Sequence, residues 1–152
     1  METQELTTFD FEDGNGPVPA HRHPNGGGWV ANTASVDESV FVGPDARVYG
    51  QAIAFGCVKV GEQARVFGKS KVYGNALIGE QARVFGFARV FDQSRVYGQA
   101  EIGEEAKVCD QAVVGGNAKV VGHVYVCGQS AVKGCARVDD WSLRLQDVVL
   151  GE

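Results

Sequence analysis

Residues 60–101 read VGEQAR, VFGKSK, VYGNAL, IGEQAR, VFGFAR, VFDQSR, VYGQAE. Val or Ile opens each hexad, and Ala or Ser stands fifth. The register runs on without an insertion. It begins at Val30 with VANTAS, VDESVF, VGPDAR, VYGQAI and AFGCVK. It continues through IGEEAK, VCDQAV, VGGNAK, VVGHVY, VCGQSA and VKGCAR to Val138, which makes 18 hexads. Position 1 is Val fifteen times, Ile at 78 and 102, and Ala at 54. Position 5 is Ala twelve times, Val three times and Ser three times. No helical period produces this. Positions 5 and 1 are two residues apart, so on a strand both side chains point to one side. Positions 2 and 3 hold Gly in 14 of the hexads, and Asn32, Asp37, Asp92 or Asp110 in the rest. These residue types tolerate positive φ, so each hexad predicts a short strand followed by a corner.

Composition agrees. The chain of 152 residues has 24 Val and 3 Ile against 5 Leu, with 21 Gly. β-Branched residues favour strands and Gly weakens helices, so a helical bundle is excluded. A hydrophobic content of 44% argues against disorder, and four Pro without a Gly period exclude collagen. The opening METQELTTFDFED is acidic with no apolar run, which reads as a soluble cytoplasmic protein without a membrane partner. The net charge of −5 makes duplex nucleic acid an unfit partner, although a local basic strip is compatible with it. Cys57, Cys109, Cys127 and Cys135 form no C-x-x-C pair and read as reduced, buried or half-buried thiols by default, although Cys109 and Cys127 are 18 residues apart and could bridge if oxidised.

The pattern resembles the hexapeptide-repeat, left-handed parallel β-helix family. That resemblance implies triangular coils of three hexads, hence about six coils over residues 30–138 and a prism roughly 29 Å tall. Residues 1–29 and 139–152 then flank it as an N-terminal cap and a C-terminal cap or tail. The segment GPVPAHRHPNGGGWVA, starting at Gly16, is similar to the opening of small bacterial and phage hexapeptide-repeat proteins. Left-handedness and packing as a homotrimer are implied by the resemblance alone.

With 18 residues per coil, outward positions 6 and 2 form columns. One face shows Arg47, Arg65 and Arg83 beside Tyr49, Phe67 and Phe85. A second shows Lys71, Arg89 and Lys107 beside Phe55, Tyr73 and Phe91. A third has Gly43, Gly61 and Gly79 beside Phe41 and Leu77. Aromatic ladders exposed on a monomer would form a large apolar patch, so self-association is expected. Arg offers a planar fork for phosphate, and rings hold nucleobases. Arg47, Arg65, Arg83, Tyr49, Phe67, Phe85, Lys71, Arg89, Tyr73 and Phe91 are therefore candidates for binding a small anionic or nucleotide-like molecule at intersubunit clefts. His21 and His23, beside Gly26–Gly28, are candidates for a ligand-facing loop, with capping as the competing role.

Relatives in the hexapeptide family include acyltransferases using acetyl-CoA, with a catalytic His and a projecting loop. This chain has no looped-out insertion in its coils. His123 with Glu105 one rung below is its single candidate pair for general-base chemistry. The family also includes a zinc enzyme with three His ligands. His21 and His23 precede the coils and His123 is at the far end, so no metal and no cofactor is expected. Three readings compete: a sequestering binder, an acyltransferase, and a structural assembly module. TTFDF reads as a strand and EDGNG as a turn, with Phe9, Phe11 and Trp29 as a plug for the open top. Trp141, Leu143, Leu145, Val148, Val149 and Leu150 make the tail apolar enough to cover the last coil or reach a neighbour.

Overall fold

A computed structural model describes residues 7–139 and 144–151. Among the described residues every regular element is a strand, and the architecture is a parallel β-helix with three sheets. Each hexad supplies one two- or three-residue rung, and in-register partners are 18 residues apart, as in Lys71 against Arg89 and Leu77 against Arg95. The first face stacks the rungs at Arg47, Arg65, Arg83, Glu101, Lys119 and Arg137; the second those at Ser35, Ile53, Lys71, Arg89, Lys107 and Tyr125; the third those at Phe41, Lys59, Leu77, Arg95, Val113 and Ala131.

The core is the predicted one. Position 1 residues from Val30 to Val138 are buried, apart from the half-buried Val36, together with most at position 5. Ser70 and Ser94 replace Ala inside without an orphaned hydroxyl, because each Oγ donates to a carbonyl three residues back, on Phe67 at 2.8 Å and Phe91 at 2.7 Å.

The corners differ from the expectation. Within the hexads, positive φ falls at position 3 alone, not at both Gly positions. At Gly68 (φ 71°) a Cβ would stand 2.8 Å from the backbone N of Gly86, so glycine is required there. Where Gly is at position 2, as at 61, 79 and 103, the next residue turns the corner, and Glu62, Glu80 and Glu104 take φ of 53–56°. Asp92 and Asp110 do the same, whereas Asn32 and Asp37 are not among the positive-φ residues.

The helix has about seven turns rather than six. The rung Arg144–Gln146 pairs in parallel with Tyr125–Cys127, and Val149–Leu150 with Ala131–Val132. Leu145 stacks on Val126, one residue beyond the repeat, and Leu150 returns to register on Val132. The extra residue lies in the segment between two rungs, which is why an uninterrupted hexad count stops short of this turn. The tail thus covers the sixth coil with two added rungs. Trp141 and Leu143 lie outside the described residues.

At the other end, β1 (Thr8–Asp10) and β2 (Pro17–Arg22) form an antiparallel hairpin, and β2 pairs antiparallel with β3 (Trp29–Ala31), the first rung. Its rings do not plug the core. Position 2 of the first rung is Ala31, too small to continue the column of Tyr49, Phe67 and Phe85. Phe11 fills that place from the hairpin, with its ring 4.7 Å from Tyr49. Phe9 stacks on Trp29 at 4.6 Å. The top above the third face is closed instead by the loop at His23–Gly28. There Val42 N donates to Asn25 O, and Gly28 N donates to Val42 O. His23 is 2% exposed, with Nε2 2.7 Å from Val40 O.

Candidate functional site

Because the first face repeats in register, Arg47, Arg65 and Arg83 stand on consecutive paired rungs. They border a groove of about 620 Å³ that also includes Gln63, Gln81, Arg22, Trp29 and Phe9. The Gln side chains come from position 4 of the same hexads. Gln81 donates to Gln63 at 3.2 Å, and Gln99 to Gln81 at 3.1 Å. This amide ladder gives the groove a fixed polar wall.

The three guanidiniums are not equivalent. Arg47 lies 3.4 Å from Glu12 and 5.0 Å above the Phe9 ring, tied to the hairpin. Arg65 stands near enough to the Tyr49 hydroxyl to act on its ionisation. Among the described residues, no carboxylate forms an ion pair with Arg65 or Arg83. Burial pushes the Tyr49 phenol above its usual range, and Arg65 opposes that shift. Two adjacent forks with no ion-paired carboxylate suit an incoming anion, and Asp45 is the carboxylate that borders the groove with them.

The ring column is placed differently from the expectation. Tyr49 is 4% exposed, and Phe67 and Phe85 are half-buried. Tyr49, Phe67 and Phe85 stack on one another at 4.9 and 5.4 Å. Their π-faces are used within the chain, and none of the three lines the groove. Phe85 ends the column against Gly103, where a Cβ would come within 2.4 Å of the ring. The rings at the groove are Trp29 and Phe9, which the pattern assigned to a cap. A signal for the Gln wall existed: GEQARVFG occurs at 61–68 and again at 79–86, so Gln and Arg repeat together.

On the second face, Lys71, Arg89 and Lys107 also stand in register. Tyr73 and Phe91 stack at 4.8 Å and are half-buried. The column continues into Cys109 and Cys127, whose Cα atoms are 4.9 Å apart and whose sulfurs are joined in a disulfide. The expected reduced pair is thereby corrected: parallel rungs in register bring two position-2 residues within bridging distance. An Asp110 oxygen lies within 4.8 Å of both sulfurs. Cys57 and Cys135 are exposed rather than buried, because position 4 projects from a corner.

His123 Nε2 lies 3.4 Å from Glu105 Oε2, so the predicted pair does meet across the rungs. It borders a shallow cleft of about 380 Å³ with Phe87, Arg89, Lys107 and Tyr125. Lys107 Nζ donates to the Tyr125 hydroxyl at 3.0 Å and lowers the phenol's pKa from its usual range. His21 is exposed, with Nδ1 2.7 Å from Asn32 Oδ1, whereas His23 is a buried clamp. The two do not form one ligand-facing pair. Among the described residues no helix is long and apolar enough to cross a membrane. No family model, no curated protein and no solved structure matches the chain.

Proposed function

We propose that this protein is a non-catalytic binder of a small anionic, phosphorylated and nucleotide-like molecule, held in the groove of the first face. One observation carries the reading: Arg65 and Arg83 stand on adjacent rungs beside a rigid Gln63–Gln81 ladder, with no carboxylate paired to either. Guanidinium forks would grip phosphate oxygens. The protein would sequester this molecule rather than transform it.

Self-association belongs to the same proposal. The groove is open along one side, and a second copy would close it into an intersubunit cleft. The glycine lane of the third face, with exposed Phe41 and Leu77 beside it, permits close approach of another chain. A homotrimer is the proposed assembly, and native mass spectrometry reads it directly.

Calorimetry with inorganic phosphate, pyrophosphate and ADP tests the site. A charge-assisted hydrogen bond contributes about 1.5–3 kcal/mol, so Arg65→Ala/Arg83→Ala should weaken binding by well over tenfold without changing the oligomer. Unchanged affinity in that variant would overturn the proposal.

A second reading, an acyltransferase using acetyl-CoA, draws support from the 3.4 Å contact of His123 with Glu105. Turnover of acetyl-CoA that His123→Gln abolishes would favour it over the binder.

A further inference from the structure

The second face also carries a column of cations, of which Arg89 is exposed and Lys71 and Lys107 are half-buried. Lys71, Arg89 and Lys107 occupy three successive rungs, and Lys69 stands at the adjoining corner. Two clefts, of about 320 and 380 Å³, border this column and share Phe87 and Arg89. They flank Phe87 and Arg89 and together mark one strip along the helix axis. Arg144 extends it, with its guanidinium 5.8 Å from the Tyr125 ring. From the Lys71 rung to the Arg144 rung is four rung spacings, about 19 Å.

Charge and aromatic exposure coincide here. Phe87 is 58% exposed and Tyr125 39%, the former with Lys69 Nζ 5.5 Å from its ring. Neither ring belongs to a stacked column, unlike Tyr73 and Phe91. The single carboxylate lining the two clefts is Glu105, and it faces His123. In a chain of net charge −5, the strip gathers its cations on one line, as the first face does at Arg47, Arg65 and Arg83.

We infer that this strip binds single-stranded nucleic acid, with the cation column following the phosphates and Phe87 and Tyr125 receiving bases. Evenly spaced cations along one line match a flexible backbone, and exposed rings beside them match unstacked bases. A duplex does not fit: the strip is one column wide, and the far corner of the same face bears Asp92 and Asp110. The length suits about four nucleotides, the small end of known single-strand grooves. This inference concerns a different face and a polymer, so it stands apart from the groove of Arg65 and Arg83.

Fluorescence anisotropy with a labelled oligothymidylate of about twelve nucleotides tests it, at about 50 to 200 mM salt. Four phosphate contacts predict a slope of log K against log salt of about −3, at roughly −0.7 per contact. Arg89→Gln/Lys107→Gln should flatten that slope by about 1.4. Phe87→Ala should weaken binding by about five- to 150-fold and leave the slope intact. Arg65→Ala/Arg83→Ala should bind the oligonucleotide as the unchanged chain does. Absence of binding at the lowest salt overturns the inference. So does full competition by inorganic polyphosphate together with an unaffected Phe87→Ala chain, which would mark a base-blind polyanion site. Loss of binding in the Arg65/Arg83 variant also overturns it, by moving the site to the first face.

Discussion

The first and second faces share one repeat but not one surface. Both stack three cations at position 6 and three rings at position 2 on consecutive rungs, the two sets being offset by one rung on the second face. On the first face the hairpin adds Phe11 to the column, buries Tyr49 and holds Arg47 through Glu12. On the second, Phe55 remains exposed at one end of its column, and the Cys109–Cys127 bridge closes the other. Equivalent positions in a repeat thus acquire different accessibility from segments outside the repeat. Where those segments fall, a cation becomes half structural. Where they do not, the column stays available.

The largest expected effect lies where the hairpin meets the first face. Phe11 is 1% exposed, and burying a ring of that size makes Phe11→Ala cost about 3–5 kcal/mol. Hydrogen exchange should show the loss concentrated in residues 8–22 and around Tyr49. Phe55→Ala, at the exposed end of the second column, should cost far less. Equal losses would show that the hairpin contributes nothing to the difference between the faces.

Next comes the bridge. A disulfide closing a loop of this length stabilises by about 3 kcal/mol. Cys109→Ser should therefore lower the melting temperature and loosen the fifth and sixth turns, leaving exchange at Tyr49 unchanged. A melting temperature equal to that of the unaltered chain under oxidising conditions would show that the bridge adds no stability.

The smallest effect separates the faces by titration. Burial raises the Tyr49 phenol, whereas Lys107 lowers that of Tyr125. Phenolate absorbance should therefore show Tyr125 ionising below about pH 10 and Tyr49 above it. The signs follow by linkage. A raised Tyr49 leaves stability intact below the unfolded value near 10 and erodes it as pH rises beyond. A lowered Tyr125 adds its contribution as pH rises through its own value and loses it as pH falls. Lys107→Gln should return Tyr125 toward 10 and leave Tyr49 where it is.

The core and the columns were readable because a two-residue alternation inside a six-residue period leaves one way to point each side chain. Val66, Val84 and Ile102 could only face inward, and the coil of three hexads that the resemblance implies sets Arg65 beside Arg83. The seventh turn escaped that reasoning because Leu145 sits one residue out of step. The corners were read one position too loosely: Gly61 and Gly79 signalled a bend, yet Glu62 and Glu80 make it. The Gln63–Gln81 wall was present in the doubled GEQARVFG, but a side chain at a corner has no fixed direction until the corner is built.

The stacking of residues 18 apart, and with it the meeting of His123 with Glu105, was implied by the resemblance to coils of three hexads. The sequence by itself determined the all-β class and the inward Val and Ala ladder. Both follow from local periodicity, which repeats the same backbone geometry at every rung. The tertiary structure alone decided that Phe11 completes the Tyr49 column, that His23 is a clamp rather than a ligand residue, and that Cys109 and Cys127 are bridged. It also decided which cations are left open. Those outcomes depend on where non-repeating segments fold back, and on how closely stacked rungs approach. Contacts between residues far apart in the chain set both, and no period in the sequence encodes them.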